Sequence, residues 1–233
     1  MPVGVGGWLA GSPASIPPVS VTAPGAVTLL FTEDSTYSDT SQSERYGRPV
    51  RGTSAATPIV AGGVAILRHA YPLHAALGAG YLRALMLAMA ASGGERETYG
   101  VGRLMLRDLS DLNSPAGWYS PAAFHMDQYD EIDFPFPGTA SGSGAQQFKL
   151  AVYIDEPDRN KVPWVLVNVV DTCNSNQMVA SDVSFSLEKQ LDVTIGDYGL
   201  LPTACLEVQL YGYSVAEGGV TVYITGYFHN GIH

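Results

Sequence analysis

The sequence predicts an α/β segment followed by an all-β region, and three observations carry that expectation. The stretch from Ala55 to Leu67 is a run of small and apolar residues with no charge before Arg68. It reads as a helix that is apolar on all sides, and such a helix is expected to be buried. Short β-branched and aromatic runs precede it, at Val3–Trp8, Val19–Gly25 and Val27–Phe31. After Ala145 the pattern changes to period-two alternation broken by turn residues, which is the signature of antiparallel strands.

In chain order, Val3-Gly4-Val5-Gly6-Gly7-Trp8 reads as a short strand with close backbone neighbours. A Pro/Ser-rich connection leads to the strand ending at Pro24-Gly25, and a polar loop spans Thr32 to Tyr46. Residues Pro49 to Arg51 then deliver the chain to Gly52-Thr53-Ser54. Pro58 is expected in the first turn of the following helix, where a missing N–H removes little. Tyr71-Pro72 stops that helix. Tyr81, Leu82, Leu85, Met86 and Met89 recur at helical spacing, so Gly80 to Ala91 is expected to be an amphipathic helix whose methionines pack in a core.

Residues 113–144 read as a connecting segment, rich in Pro, Gly, Ser and Asp. Its aromatic residues, Trp118 and Phe124 among them, argue that it lies against a folded surface. Asp127, Asp130, Glu131 and Asp133 read as a solvated acidic turn, because the D-x-[DN]-x-[DN]-G calcium pattern is absent. From 145 to 233 the expected strands are Phe148–Ile154, Val162–Val170, Val183–Leu187, Leu191–Ile195, Cys205–Tyr213 and Val220–Phe228. Strands at that spacing suggest a sandwich or jelly roll. The expected division is therefore 1–112, 113–144 and 145–233.

Composition narrows the function classes. The net charge is −10 and charged residues make up only 15% of the chain, which argues against a nucleic-acid partner. No apolar run reaches the roughly 18 residues of a membrane span, and no signal peptide is visible. The two cysteines, Cys173 and Cys205, could form one disulfide or remain separate buried thiols. Neither stands in metal-ligand spacing.

The most informative stretch is Gly52-Thr53-Ser54-Ala55-Ala56-Thr57-Pro58-Ile59-Val60-Ala61-Gly62. Ser and Thr before a helix are ordinary caps. The longer pattern, Gly-Thr-Ser-x-Ala-x-Pro-x-x-Ala-Gly, resembles the nucleophile motif of the subtilisin-like serine proteases, the subtilases. By that resemblance Ser54 is the nucleophile. Gly52 and Thr53 shape the turn, and the Ser54 N–H is an oxyanion donor. Val19-Ser20-Val21-Thr22-Ala23-Pro24-Gly25 resembles a second family element. The sedolisins carry a similar Gly-Thr-Ser-Ala stretch. Tyr99-Gly100-Val101-Gly102-Arg103-Leu104 resembles the end of subtilase catalytic domains and favours that family.

The resemblance implies the C-terminal half of a catalytic domain, in a partial parallel sheet with helices, followed by a β-domain. It implies a protein or peptide substrate and a secreted parent protein. No cofactor is expected, and calcium enters by family resemblance only, without an identifiable site. A serine nucleophile needs a histidine base and a carboxylate to orient it. In subtilases both precede the serine, yet no His occurs before Ser54 here. The downstream histidines are His69, His74, His125, His229 and His233. The expectation is a serine endopeptidase segment, inactive alone, whose missing N-terminal half supplies the rest. Loss of that half would leave apolar surface exposed on both helices. The alternative is a non-catalytic module whose β-domain binds protein, carbohydrate or cell surface. Trp164, Tyr211, Tyr213, Tyr223 and Tyr227 read as strand core, with a stacking face as the competing reading.

Overall fold

A computed structural model describes residues 2–5, 21–24, 26–32, 45–51, 53–70, 76–91, 103–104, 122–135, 146–157, 162–194 and 206–230. The described chain is mostly β-strand, with two helices. Strands β1 (Pro2–Val5), β2 (Val21–Pro24), β3 (Ala26–Thr32) and β4 (Arg45–Arg51) come first. Helices α1 (Thr53–Ala70) and α2 (Ala79–Ala88) follow, then the two-residue strands β5 (Ala90–Ala91) and β6 (Arg103–Leu104). These strands form a sheet in the order β1-β2-β6-β5 and a separate β3–β4 ribbon. β2 runs parallel to β6 at Thr22↔Arg103, while β1 and β5 join antiparallel.

The remaining strands are β7 (Ala122–Met126), β8 (Glu131–Pro135), β9 (Gln146–Asp155), β10 (Trp164–Asp171), β11 (Gln177–Asp182), β12 (Glu188–Thr194), β13 (Leu206–Ser214) and β14 (Val220–Asn230). They form two four-stranded antiparallel sheets, β11-β10-β13-β8 and β12-β9-β14-β7. Both sheets feed one hydrophobic cluster, with Leu150, Val152 and Ile154 from β9 and Val165, Val167 and Val169 from β10 fully buried. The period-two alternation seen in the sequence is what turns these residues to a common side.

Two expectations about the strands change. The stretch read as irregular connection holds β7 and β8, an edge strand in each sheet. They pair with β14 and β13 through Phe124↔Val222 and Phe134↔Val208. The acidic turn between them is tied down by backbone bonds. Tyr129 N–H donates to Gly212 O at 2.6 Å, and Asp127 N–H donates to the Asp130 carboxylate at 2.8 Å. Further on, Val183–Leu187 is not a strand, and Gln177–Asp182 is. The Asp182 carboxylate accepts from the Ser184 N–H and hydroxyl, which curls the backbone out of the sheet. The fully buried Lys189 ammonium then donates to Ser184 O at 2.6 Å and holds the loop in place.

The helices also depart from expectation. Helix α1 is buried on one side only, through Ala55, Ala56, Val60 and Leu67, while Ile59 and Ile66 are exposed. Pro58 stands inside the helix, past the first turn, so the carbonyl of residue 54 lacks its usual ladder donor. Apolar exposure on α1 agrees with the sequence reading; on α2 that reading fails. Tyr81, Ala84, Leu85, Met86, Leu87 and Ala88 are all buried, because α2 lies against β9, β14 and β12.

Candidate functional site

Ser54 is the second residue of α1, and Thr53 is the first. Gly52 lies outside the described residues. The helix starts here because β4 ends at Arg51 and the following residues are small enough to pack its first turn against β1 and β2. Ala55, Ala56 and Ala23 of β2 are almost completely buried. The first turn of α1 carries no acidic side chain, while its last turn carries Arg68 and His69. Arg68 complements the negative end of the helix dipole, and no acidic side chain of the first turn offsets the positive end beside Ser54. Unpaired N–H groups at that end suit an anion, including an oxyanion formed during acyl transfer.

The histidines do not complete a catalytic set among the described side chains. His69 is in the last turn of α1, about 20 Å along the axis from Ser54. His125 is an exposed residue of β7, and its Nε2 lies 3.6 Å from Asp127 Oδ1. His74 and His233 lie outside the described residues, as does the side chain of His229. Cys173 is disulfide-bonded and sits in the β10–β11 turn, where its N–H donates to Asp171 Oδ1 at 3.0 Å. Cys205 lies outside the described residues. No group of three or more His, Cys, Asp or Glu among the described residues is placed to hold a metal ion. No helix among them is long and apolar enough to cross a membrane.

Residues 12–102 match the sequence model of the subtilase family. This segment is similar to the subtilases. The match contains the Gly52–Gly62 stretch, both helices and β2, and it stops before the two larger antiparallel sheets. A comparison with curated proteins gives no match.

The segment that matches the subtilase model is joined to those sheets by polar contacts that sequence reading did not find. Arg83 of α2 donates through Nε to Glu188 Oε1 at 2.7 Å, and its second nitrogen reaches the same oxygen. The guanidinium also lies 4.7 Å from the centre of the Tyr153 ring. Burial acts to lower the Arg83 pKa, but the charge and hydrogen bond of Glu188 outweigh it and the net shift is upward. Gln190 donates to Leu87 O and Ala90 O, both at 2.9 Å, and satisfies carbonyls at the C-terminal end of α2. Tyr223 meets Tyr81 edge-on at 4.9 Å and stacks on Tyr153 at 6.2 Å. The one available signal was Arg83 itself, a lone charge in the otherwise apolar run Tyr81–Ala91.

The five aromatic residues therefore separate. Tyr223 is spent on α2, and the side chain of Tyr227 lies outside the described set. Trp164, Tyr211 and Tyr213 form a cluster with Phe185, with Trp164 stacked on Tyr213 at 4.6 Å and tilted against Phe185 at 5.0 Å.

Proposed function

We propose that this chain is the nucleophile-bearing part of a serine endopeptidase, with Ser54 as the residue that is acylated. The observation that carries this reading is the Gly52–Gly62 stretch, which lies inside the subtilase match and opens α1. Gly52 and Thr53 shape the approach to the helix. The Ser54 N–H donates to the oxyanion, aided by the helix dipole. The substrate is a protein or peptide, the chemistry needs no cofactor, and the parent protein is secreted.

A serine hydroxyl at neutral pH is a poor nucleophile without an adjacent base. The base and its carboxylate are assigned to another polypeptide segment, the N-terminal half of the catalytic domain, and the chain alone is expected to hydrolyse peptides poorly. In this reading residues 1–112 form the partial α/β core. A β-sandwich domain follows the connecting segment, with Cys173 paired to Cys205. The test is fluorophosphonate labelling and peptide turnover with the isolated chain and with Ser54→Ala. Little labelling in both is expected. Robust labelling that disappears in Ser54→Ala would show that a base within this chain reaches the serine.

The aromatic cluster around Trp164 favours a second reading, in which the β-domain is a binding module. Deleting the exposed rings and measuring retention on immobilised proteins and polysaccharides tests it. Unchanged retention on both would remove this reading.

A further inference from the structure

Five of the eight exposed large hydrophobic side chains among the described residues lie on the sheet β11-β10-β13-β8 and its flanking loops. Four of them, Tyr129, Val183, Phe185 and Tyr213, gather where β10 begins. Trp164 opens that strand, contacts the Phe185 and Tyr213 rings, and donates through Nε1 to Val183 O at 3.2 Å. Contiguous apolar exposure of this kind marks an interaction surface.

The outer face of the sheet is defined by burial. Val165, Val167, Val208 and Leu210 point into the core, so Leu166, Gln209 and Tyr211 point outward. Register places Tyr211 opposite Glu131, and Gln209 opposite Asp133. Both carboxylates are exposed. The four strands contain no Lys or Arg. Asp182 is engaged within the molecule by Ser184 and Lys189. Glu131 and Asp133 thus stand in a row beside the aromatic cluster, with no cation on their own sheet.

Both features select the same charge. Aromatic faces are negative and attract a cation, best a planar guanidinium that can also stack. Carboxylates pair with the same group through its fork of N–H donors. We propose that the outer face of this sheet binds an arginine-bearing segment of another polypeptide. Its guanidinium groups stack on the exposed Phe185 and Tyr213 rings, both of which Trp164 contacts, and pair with Glu131 and Asp133. A second copy of this chain is disfavoured, because it carries the same net charge of −10. A sugar would use the rings but gains nothing from the excess of carboxylates. This proposal gives the β-domain of the second reading its ligand and is independent of Ser54 as nucleophile.

The experiment is fluorescence anisotropy on the full chain with a fluorescein-labelled peptide alternating Arg and Ser. A matched peptide with Glu for Arg is the control. Cellohexaose serves as competitor, and sedimentation reports self-association. Expected is binding of the Arg peptide alone, weakening as salt rises. Phe185→Ser, at a residue more than half exposed, should weaken it roughly fivefold. Glu131→Gln combined with Asp133→Asn should weaken it further and flatten the salt dependence. The proposal is overturned if the Glu peptide binds equally, if these variants leave Arg-peptide binding unchanged, or if no peptide binds. Binding of cellohexaose alone, lost in Phe185→Ser, overturns it while keeping a binding role for the β-domain. Self-association abolished by the same variants overturns it in favour of a dimer face. None of these results bears on Ser54, so the peptidase reading stands or falls separately.

Discussion

Arg83 of α2 and Glu188 of β12, far apart in sequence, form an ion pair that ties the helical segment to the β-sheets. The Glu188 side chain is 1% exposed and that of Arg83 is 37% exposed. Removing Glu188 leaves a guanidinium that water can still reach, whereas removing Arg83 takes the cation away from a carboxylate that water does not reach. Arg83→Ala is therefore expected to be the more damaging change. Losing one member of a fully buried pair costs about 3–5 kcal/mol, and the partial exposure of Arg83 brings the expected cost to about 2–3 kcal/mol. Urea unfolding of Arg83→Ala and Glu188→Ala measures both. Equal losses below about 0.5 kcal/mol would show that the pair behaves like an exposed surface bridge.

Gly80 marks a close approach between α2 and β14. A Cβ at this position would stand 2.2 Å from Cε2 of Tyr223. The ring is held by Tyr81 and Tyr153 and cannot move without loosening both. Gly80→Ala should destabilise the protein by about 1–3 kcal/mol, although alanine is the better helix former. Thermal unfolding checks this, and Tyr223→Ala in the Gly80→Ala background should recover part of the loss. A stabilised Gly80→Ala protein would mean that α2 stands further from the sheet.

The phenols at this contact set an alkaline limit. Burial raises the pKa of Tyr81, helped by Tyr223. Burial also raises that of Tyr153, with Arg83 opposing and Asp155 and Glu188 adding to it. Both shifts start from an ordinary value of 10.0. A raised pKa means that the folded state holds the proton more tightly than the unfolded state. Their contribution to stability is complete below pH 10 and is lost as pH rises through the folded-state values. Stability measured against pH should fall above that point, with a shallower fall in Tyr153→Phe.

Cys173 reports on the order of the β10–β11 turn. With Cys205 as its partner, the bond closes a loop of roughly thirty residues and is expected to contribute about 3–4 kcal/mol. Peptide mapping without reduction identifies the partner. Cys173→Ser should then unfold at lower denaturant concentration, by the same amount as the intact protein after reduction. A larger loss in the variant than on reduction would point to packing by the sulfur rather than the cross-link.

The helix that opens at the candidate site was legible in the sequence. The Gly52–Gly62 pattern located Ser54 at the start of a helix, because capping chemistry and small-residue packing are local. Period-two alternation located β9, β10, β13 and β14 for the same reason. The strand β11 was missed, since Gln177–Asp182 groups its three apolar residues together instead of alternating them and gains its pairing from β10. Val183–Leu187 was mistaken for a strand, because its alternation is outweighed by Asp182 and Lys189 bonding to Ser184.

What the sequence determined by itself is the start of a helix at Ser54 and the alternation that makes sheets. The tertiary structure decided which surfaces those elements cover. Both helices read as apolar, yet α2 is buried against β9, β12 and β14, while α1 keeps Ile59 and Ile66 in solvent. Trp164 and Tyr223 look alike as strand aromatics, but one stands in an exposed cluster and the other is packed under α2. Periodicity fixes the face on which a residue lies. It carries no information about what arrives to cover that face, because the covering element is brought by contacts as distant as Arg83 and Glu188.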